Sequence, residues 1–311
     1  MFAPKARPRV SIGVPVYNGE RYLAATLDSL IGQTFEEFEL IICDNASTDR
    51  TAEIARAYAA RDRRIRYVPS DRNIGSVRNF NRAFRLGTGE YFRWFSADDL
   101  AAPESLARCV EVLDAEPAVV LAYPKTRLID AEGQTIRDYD DRLHLTMADP
   151  CERFQELLGR IGYTNAVYGL MRTAAVQRTG LFGPYLASDE VFQAELVLHG
   201  LFWEIPAVLF FRRIHAAASS GMTLAERLSF DRPERARARE MSMWKRLVGL
   251  SRAVERSGLD RSQKVRLQAY LARTAVRSRD ELAREVLEAT RGVVGRLSRS
   301  RHADVASGSQ S

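Results

Sequence analysis

Through residue 125, short apolar runs alternate with stretches whose apolar positions recur every three or four residues, the signature of strands alternating with helices. Val10-Ser11-Ile12-Gly13-Val14 is predicted as a strand ended by Pro15, and Leu23, Leu27, Leu30 and Ile31 as the inner face of the helix that follows. A second strand is predicted at 38–43. Asp44-Asn45-Ala46-Ser47-Thr48-Asp49 then supplies turn and capping residues for a helix carrying Ile54, Ala55 and Tyr58. A third strand at 65–68 precedes a helix through Val77, Phe80 and Phe84 that closes at Gly87 and Gly89. The aromatic run Tyr91-Phe92-Arg93-Trp94-Phe95 reads as a fourth strand, Leu106, Val110 and Leu113 as a helix opened by Pro103, and 119–123 as a fifth strand. Such alternation predicts an α/β protein with a mostly parallel sheet flanked by helices. From 125 to 221 the pattern is less regular, with helices predicted at 173–179 and 190–199. The last ninety residues hold one proline, Pro233, and read as a helical extension with a seam at Leu282, Val286, Ala289, Val293 and Leu297, fraying from Ser298 onward. Trp94, Trp203, Phe210 and Phe211 are expected in the core.

Charge changes this picture at one end. Residues 222–311 hold 20 Lys and Arg against 11 Asp and Glu, a net +9, so the remaining residues carry −3 of the total +6. A basic extension suits an anionic surface, such as an acidic membrane leaflet. Nucleic acid fits less well, because aromatic interleaving and recognised motifs are missing there. The amino terminus shows no signal-peptide h-region, and apolar stretches such as 119–123 and 205–211 are too short to span a bilayer, which predicts a cytoplasmic protein. Cys43, Cys109 and Cys151 have no disulfide or zinc spacing and read as buried thiols.

Polar clusters gather where the predicted strands end. Pro15-Val16-Tyr17-Asn18-Gly19 follows the first, Asp44-Asn45 the second, the segment from Asn73 to Asn79 the third, and Asp98-Asp99 the fourth. In doubly wound sheets ligands bind at this edge. An aromatic ring, an acidic acceptor, an arginine and a carboxylate pair would together hold a base, a ribose, a diphosphate and a metal. The adjacent carboxylates resist joint ionisation unless a cation or strong donors hold them. A solvated turn capping the next helix is the simpler reading of that pair alone.

The run from Val10 to Gly19, with Tyr22-Leu23, Ser29-Leu30, Gln33-Thr34 and the segment from Asp44 to Asp49, resembles the opening motif of glycosyltransferase family 2, nucleotide-sugar transferases of the GT-A (Rossmann-like) fold. The resemblance covers about residues 9–220. It implies a catalytic domain over 1–221, with a nucleotide-sugar-binding part at 9–125 and an acceptor part at 126–221, then a helical basic extension at 222–297 and a tail at 298–311. It places Pro15 and Tyr17 beside the base, Asp44 at the base or ribose, Arg78 at the base or diphosphate, Asp98 near ribose and metal, and Asp99 on Mg²⁺ or Mn²⁺. Ser96 stands where the family's metal motif commonly has its first Asp.

Asp189 in Ser188-Asp189-Glu190 matches the acidic position that acts as base in inverting members, with Glu190 in reserve; the weaker reading of Asp189 is a cap for the helix after it. Arg212-Arg213-Ile214-His215 with Ser219 resembles the pattern that closes the catalytic domain, with His215 as third metal ligand, diphosphate contact or ordinary surface histidine. The implied reaction is inverting transfer of a sugar from a nucleoside-diphosphate sugar to a saccharide or lipid-linked acceptor, in surface polysaccharide or glycolipid assembly, with peripheral contact to an anionic membrane. Two competing readings are a nucleotidylyltransferase, for which a Gly-rich phosphate loop is missing, and a catalytically silent nucleotide-binding protein.

Overall fold

The structure is a computed structural model and describes residues 8–216 and 241–288. Its first half winds through β1 (Val10–Val16), α1 (Leu23–Ile31), β2 (Phe38–Asp44), α2 (Thr51–Arg61), β3 (Ile65–Pro69), α3 (Ser76–Leu86) and β4 (Tyr91–Trp94). These four strands are parallel and lie in the order β3-β2-β1-β4. In β1, β2 and β4 the apolar positions are buried on both faces, as helix-covered parallel strands require, while β3 at the edge buries only Ile65.

The chain continues through β5 (Leu100–Ala101), α4 (Ser105–Ala115), β6 (Val119–Ile129), β7 (Thr135–Tyr139), α5 (Pro150–Arg160), β8 (Leu170–Arg172), α6 (Thr173–Val176), α7 (Ser188–Leu196) and β9 (Leu201–Arg213). β8 joins β4 to β6 by short antiparallel ladders, and β6 pairs in parallel with β9 along most of its length. One nine-stranded, mostly parallel sheet results. Because β9 also pairs antiparallel with β5, its carboxyl end arrives beside Asp98 and Asp99, with Leu100 opposite Phe211.

Two further helices follow, α8 (Ser242–Arg256) and α9 (Arg261–Arg277). Leu250, Val254, Leu267 and Leu271 are buried in the same hydrophobic cluster as Trp94 and Phe192, so these helices complete the core over one face of the sheet. The cysteines are free and buried. No helix among the described residues is long and apolar enough to cross a membrane.

Several elements differ from the sequence expectation. β6 runs six residues past the predicted strand, to Ile129, where half-buried Lys125 and Arg127 alternate with buried Thr126 and Leu128 and break the apolar run. α5 was not predicted; Asp149 caps it by accepting from the Cys151 N–H, and Phe154 and Leu157 form its buried side. α6 stops at Val176 rather than 179, and α7 starts two residues early, at Ser188. Trp203 is half-buried, with its ring 5.0 Å from that of His144. In the predicted terminal seam Leu282 is buried but Val286 is 38% exposed. Ala289, Val293 and Leu297 lie outside the described residues, as do Ser219, the boundary at 221 and the tail from 298.

Candidate active site

The parallel register sets the amino-terminal half of the site. Val16 lies opposite Asp44, so the turns after β1 and β2 emerge side by side. They are tied together by the Asn18 N–H to Ser47 Oγ (2.9 Å), the Gly19 N–H to Thr51 Oγ1 (2.8 Å) and the Thr48 N–H to Asn18 Oδ1 (2.8 Å). Pro15 is buried at this edge and Tyr17 half-buried. Asp44 is fixed at both oxygens: Oδ1 accepts from the Ser47 N–H and hydroxyl, and Oδ2 from Tyr67 Oη at 2.7 Å. Burial, then the bond to Asp44, pushes the Tyr67 phenol up to about 12, so it remains a donor.

Asn45 extends the fixed edge towards α3, donating to Asn73 Oδ1 (2.8 Å) and accepting from the Ile74 N–H (2.8 Å). Gly75, with φ +85°, begins α3 in a conformation that side chains rarely adopt. Arg78 on that helix is exposed and lines a cleft against α8.

The second half is assembled by the end of β9. His215 Nε2 lies 2.9 Å from Asp98 Oδ2, and the Ser96 hydroxyl is hydrogen-bonded to Asp98 Oδ1. The Arg213 N–H donates to Asp99 Oδ1 at 2.8 Å, and its guanidinium donates to the Asp98 carbonyl at 2.9 Å. Tyr22 lies under both, its ring 4.8 Å from that of His215 and 4.7 Å from the Arg213 guanidinium.

The two carboxylates are inequivalent. Burial alone would raise Asp98, but the bonds from His215 and Ser96 outweigh it and hold the carboxyl below its ordinary range. Asp99 is 3% exposed, and burial followed by the charge of Asp98 pushes its carboxyl well above that range. Asp98, Asp99 and His215 offer oxygen and imidazole donors that suit Mg²⁺ or Mn²⁺. Among the described residues no three His, Cys, Asp or Glu groups converge as a protein-only cage. The donors therefore fit a cation of the kind completed by water and substrate phosphate, since Mg²⁺ is commonly held by one or two carboxylates plus phosphates.

Next to this pair a cleft of about 480 Å³ is lined by Ser76, Tyr163, Thr164, Tyr168, Asp189 and Arg212, among others. Asp189 lies in the first turn of α7 and accepts from Thr164 Oγ1 at 2.8 Å. It is not the helix cap, because Ala187 occupies that position. Ala187 (φ 60°) and the β-branched Thr164 (φ 57°) both hold left-handed backbone, strain of a kind that concentrates at functional sites. Glu190 lines the same cleft but is paired with Arg246 of α8 at 2.8 Å. Arg212 spans to the far wall, donating to the Tyr163 carbonyl (2.6 Å) and Asn165 Oδ1 (2.7 Å). Tyr168 is half-buried among these groups; desolvation first, then the charges of Asp99, Asp98 and Asp189, raises its phenol against the opposing pull of Arg212.

A family model for glycosyl transferase family 2 matches residues 11–176, more than half of the chain. The chain belongs to glycosyltransferase family 2. Among its relatives are chondroitin synthase of Escherichia coli, 29% identical over 206 residues, covering 63% of this chain and 30% of that protein, and putative glycosyltransferase EpsE of Bacillus subtilis, 37% identical over 108 residues, covering 34% and 39%. This family 2 member thus spans well under half the length of these curated relatives. S. aureus TarS 1–349 in complex with UDP-GlcNAc is similar in structure, with a TM-score of 0.62 at 20% identity, covering 85% of this chain and 71% of that one. Mannosyltransferase PcManGT from Pyrobaculum calidifontis, in complex with GDP-Man and Mn²⁺, aligns at a TM-score of 0.51 and 19% identity, covering 91% and 86%. At these identities the likeness shows the fold, the GT-A arrangement expected from the opening motif.

The family 2 fold brings Pro15, Tyr17 and Asp44 to one part of the edge, and Asp98, Asp99 and His215 to another. Asp189 shares its cleft with Arg212. Arg78 is directed instead to the cleft beside α8. Sequence reasoning missed Tyr67, Thr164, Asn165 and Tyr168. None belongs to a motif, and only the tertiary contacts of each single out its role.

Proposed function

We propose that this family 2 member transfers a sugar from a nucleoside-diphosphate sugar to an acceptor hydroxyl with inversion at the anomeric carbon. The observation that carries the reading is the end of β9: His215 holds Asp98, Arg213 holds Asp99, and Arg212 lines the cleft of Asp189. The donor's leaving-group side and the acceptor side thereby share one strand. UDP-GlcNAc in TarS and GDP-Man in PcManGT support a nucleotide sugar as donor, and the relationship to a chondroitin synthase supports a saccharide product, either surface polysaccharide or glycolipid.

In this reading Tyr17 and Pro15 border the base. Asp44, its oxygens already oriented by Ser47 and Tyr67, accepts from base or ribose with its remaining lone pairs. Asp98, Asp99 and His215 hold Mg²⁺ or Mn²⁺, which when bound supplies positive charge against the departing diphosphate. Thr164 orients Asp189, whose carboxylate takes the acceptor proton as the hydroxyl attacks, and a single displacement inverts configuration.

Asp189→Asn is the direct test. It is expected to bind nucleoside diphosphate with unchanged Kd by calorimetry and to lose sugar transfer by about 10²-fold or more. Transfer at the wild-type rate would overturn the assignment. Retention of anomeric configuration in the product, read by NMR, would overturn inversion.

A further inference from the structure

We infer that a second cleft, between the catalytic half and α8, is an acceptor subsite for an acidic saccharide; this rests on the transfer reading above. The cleft holds about 670 Å³ and is walled by Ile74 before α3, Val77 and Arg78 on α3, the 180–185 loop, and α8. Among the described residues four cations line it, Arg78, Lys245, Arg252 and Arg256, and no acidic residue does. Arg256 is engaged by Glu195 at 2.8 Å. Arg78 and Arg252 are exposed and make no ion pair with a described carboxylate. Their guanidinium forks match a carboxylate or phosphate in two-point geometry.

Between the cations lie flat or apolar faces. Trp244 is 39% exposed and Val248 43%, with Tyr185 behind them. An exposed indole one helical turn from Val248, flanked by arginines, offers a sugar ring a stacking surface and its acidic substituent a partner. The close seat of α8 depends on Gly249, where a Cβ would come within 2.4 Å of Tyr185 Oη and 3.1 Å of Val191 Cγ1.

Position connects this cleft to the chemistry. Val77 and Tyr185 line both it and the Asp189 cleft, and α7 presents Asp189 to one and Val191 to the other. A chain lying along α8 would therefore deliver its end towards Asp189. Leu181, on the wall, has left-handed backbone like Thr164 and Ala187 across the junction. α8 lies beyond the residues matched by the family model, so this wall is a feature through which a member can select its own acceptor. A concave cleft opening on the Asp189 cleft suits a chain of rings better than the flat face of a membrane.

The test is calorimetric binding to wild type, Arg252→Gln and Trp244→Ala, neither of which touches the proposed donor site. The probes are a hexasaccharide of alternating uronic acid and N-acetylhexosamine, a neutral hexasaccharide of N-acetylhexosamine, inorganic phosphate, and vesicles containing phosphatidylglycerol. The acidic hexasaccharide is expected to bind at least about tenfold tighter than the neutral one, and each substitution to weaken it about tenfold, the scale of one charge-assisted contact. Nucleoside diphosphate binding should not change in either variant, which also shows that they fold. Equal binding of acidic and neutral probes, or an unaffected Arg252→Gln, would overturn the inference. So would substitution effects seen with phosphate or vesicles but not with the saccharide. Selective saccharide binding by a protein that fails to transfer sugar would leave the subsite standing and remove the transfer reading instead.

Discussion

Asp141 shows how much of a site's electrostatics lies outside its motifs. It is 5% exposed; Oδ2 accepts from Asn165 Nδ2 at 3.1 Å, and Oδ1 has no hydrogen-bond partner. Burial pushes its carboxyl from 3.8 up to about 6. A raised carboxyl pKa destabilises the folded state as pH rises from about 4 to about 6, and the penalty is constant above that window. Asp141→Asn removes it and keeps an amide oxygen for Asn165. The variant is expected to gain on the order of 2 kcal/mol over wild type at pH 8 and little at pH 4, checked by denaturant unfolding at both values. The same difference at both pH values would contradict the assignment. At Asp98 and Asp99 the sequence showed two like charges and the need for something to hold them. It could not show which carboxyl is pushed up and which is held down, because Asp98 is held by His215, more than a hundred residues away, and Asp99 is raised by its burial in the fold and by the charge of Asp98.

Among elements, the strands and helices up to α4 were legible because each is a run with one period, bounded by glycine, proline or capping residues. β5 and β8 were not, since two or three residues carry no period and exist through their partners. The link between α7 and α8 was hidden for the same reason. Glu195 on α7 has a side chain only 1% exposed, and both its oxygens accept from Arg256 of α8 at 2.8 Å. Arg256→Ala would leave that carboxylate with the Gly180 N–H at 2.9 Å as its remaining hydrogen bond. The expected loss is about 2 kcal/mol, below the full penalty for breaking a buried pair because Arg256 itself is 45% exposed. Thermal unfolding should fall by several degrees, and addition of Glu195→Gln should recover part of it. A melting temperature within about one degree of wild type would show that α8 does not depend on this pair.

For the whole molecule, the parallel edge carries the proposed donor site, and the strand that turns back, β9, joins it to the Asp189 cleft. Sequence read the first through four polar clusters at strand ends. It read the second only at Asp189 and in the Arg212-Arg213-Ile214-His215 run, since Thr164, Asn165 and Tyr168 come from an irregular segment without a motif. α8 and α9, the described helices of the basic extension, then close the core over one face of the sheet. As a donor site, this edge is expected to bind a nucleoside diphosphate through a divalent cation. Thermal unfolding of wild type and Asp98→Asn with UDP, GDP, ADP and CDP, each with and without Mn²⁺, tests it most directly. One nucleotide is expected to raise the wild-type melting temperature only when Mn²⁺ is present, with the shift lost in Asp98→Asn. A nucleotide shift that is independent of Mn²⁺ and unchanged in Asp98→Asn would contradict it.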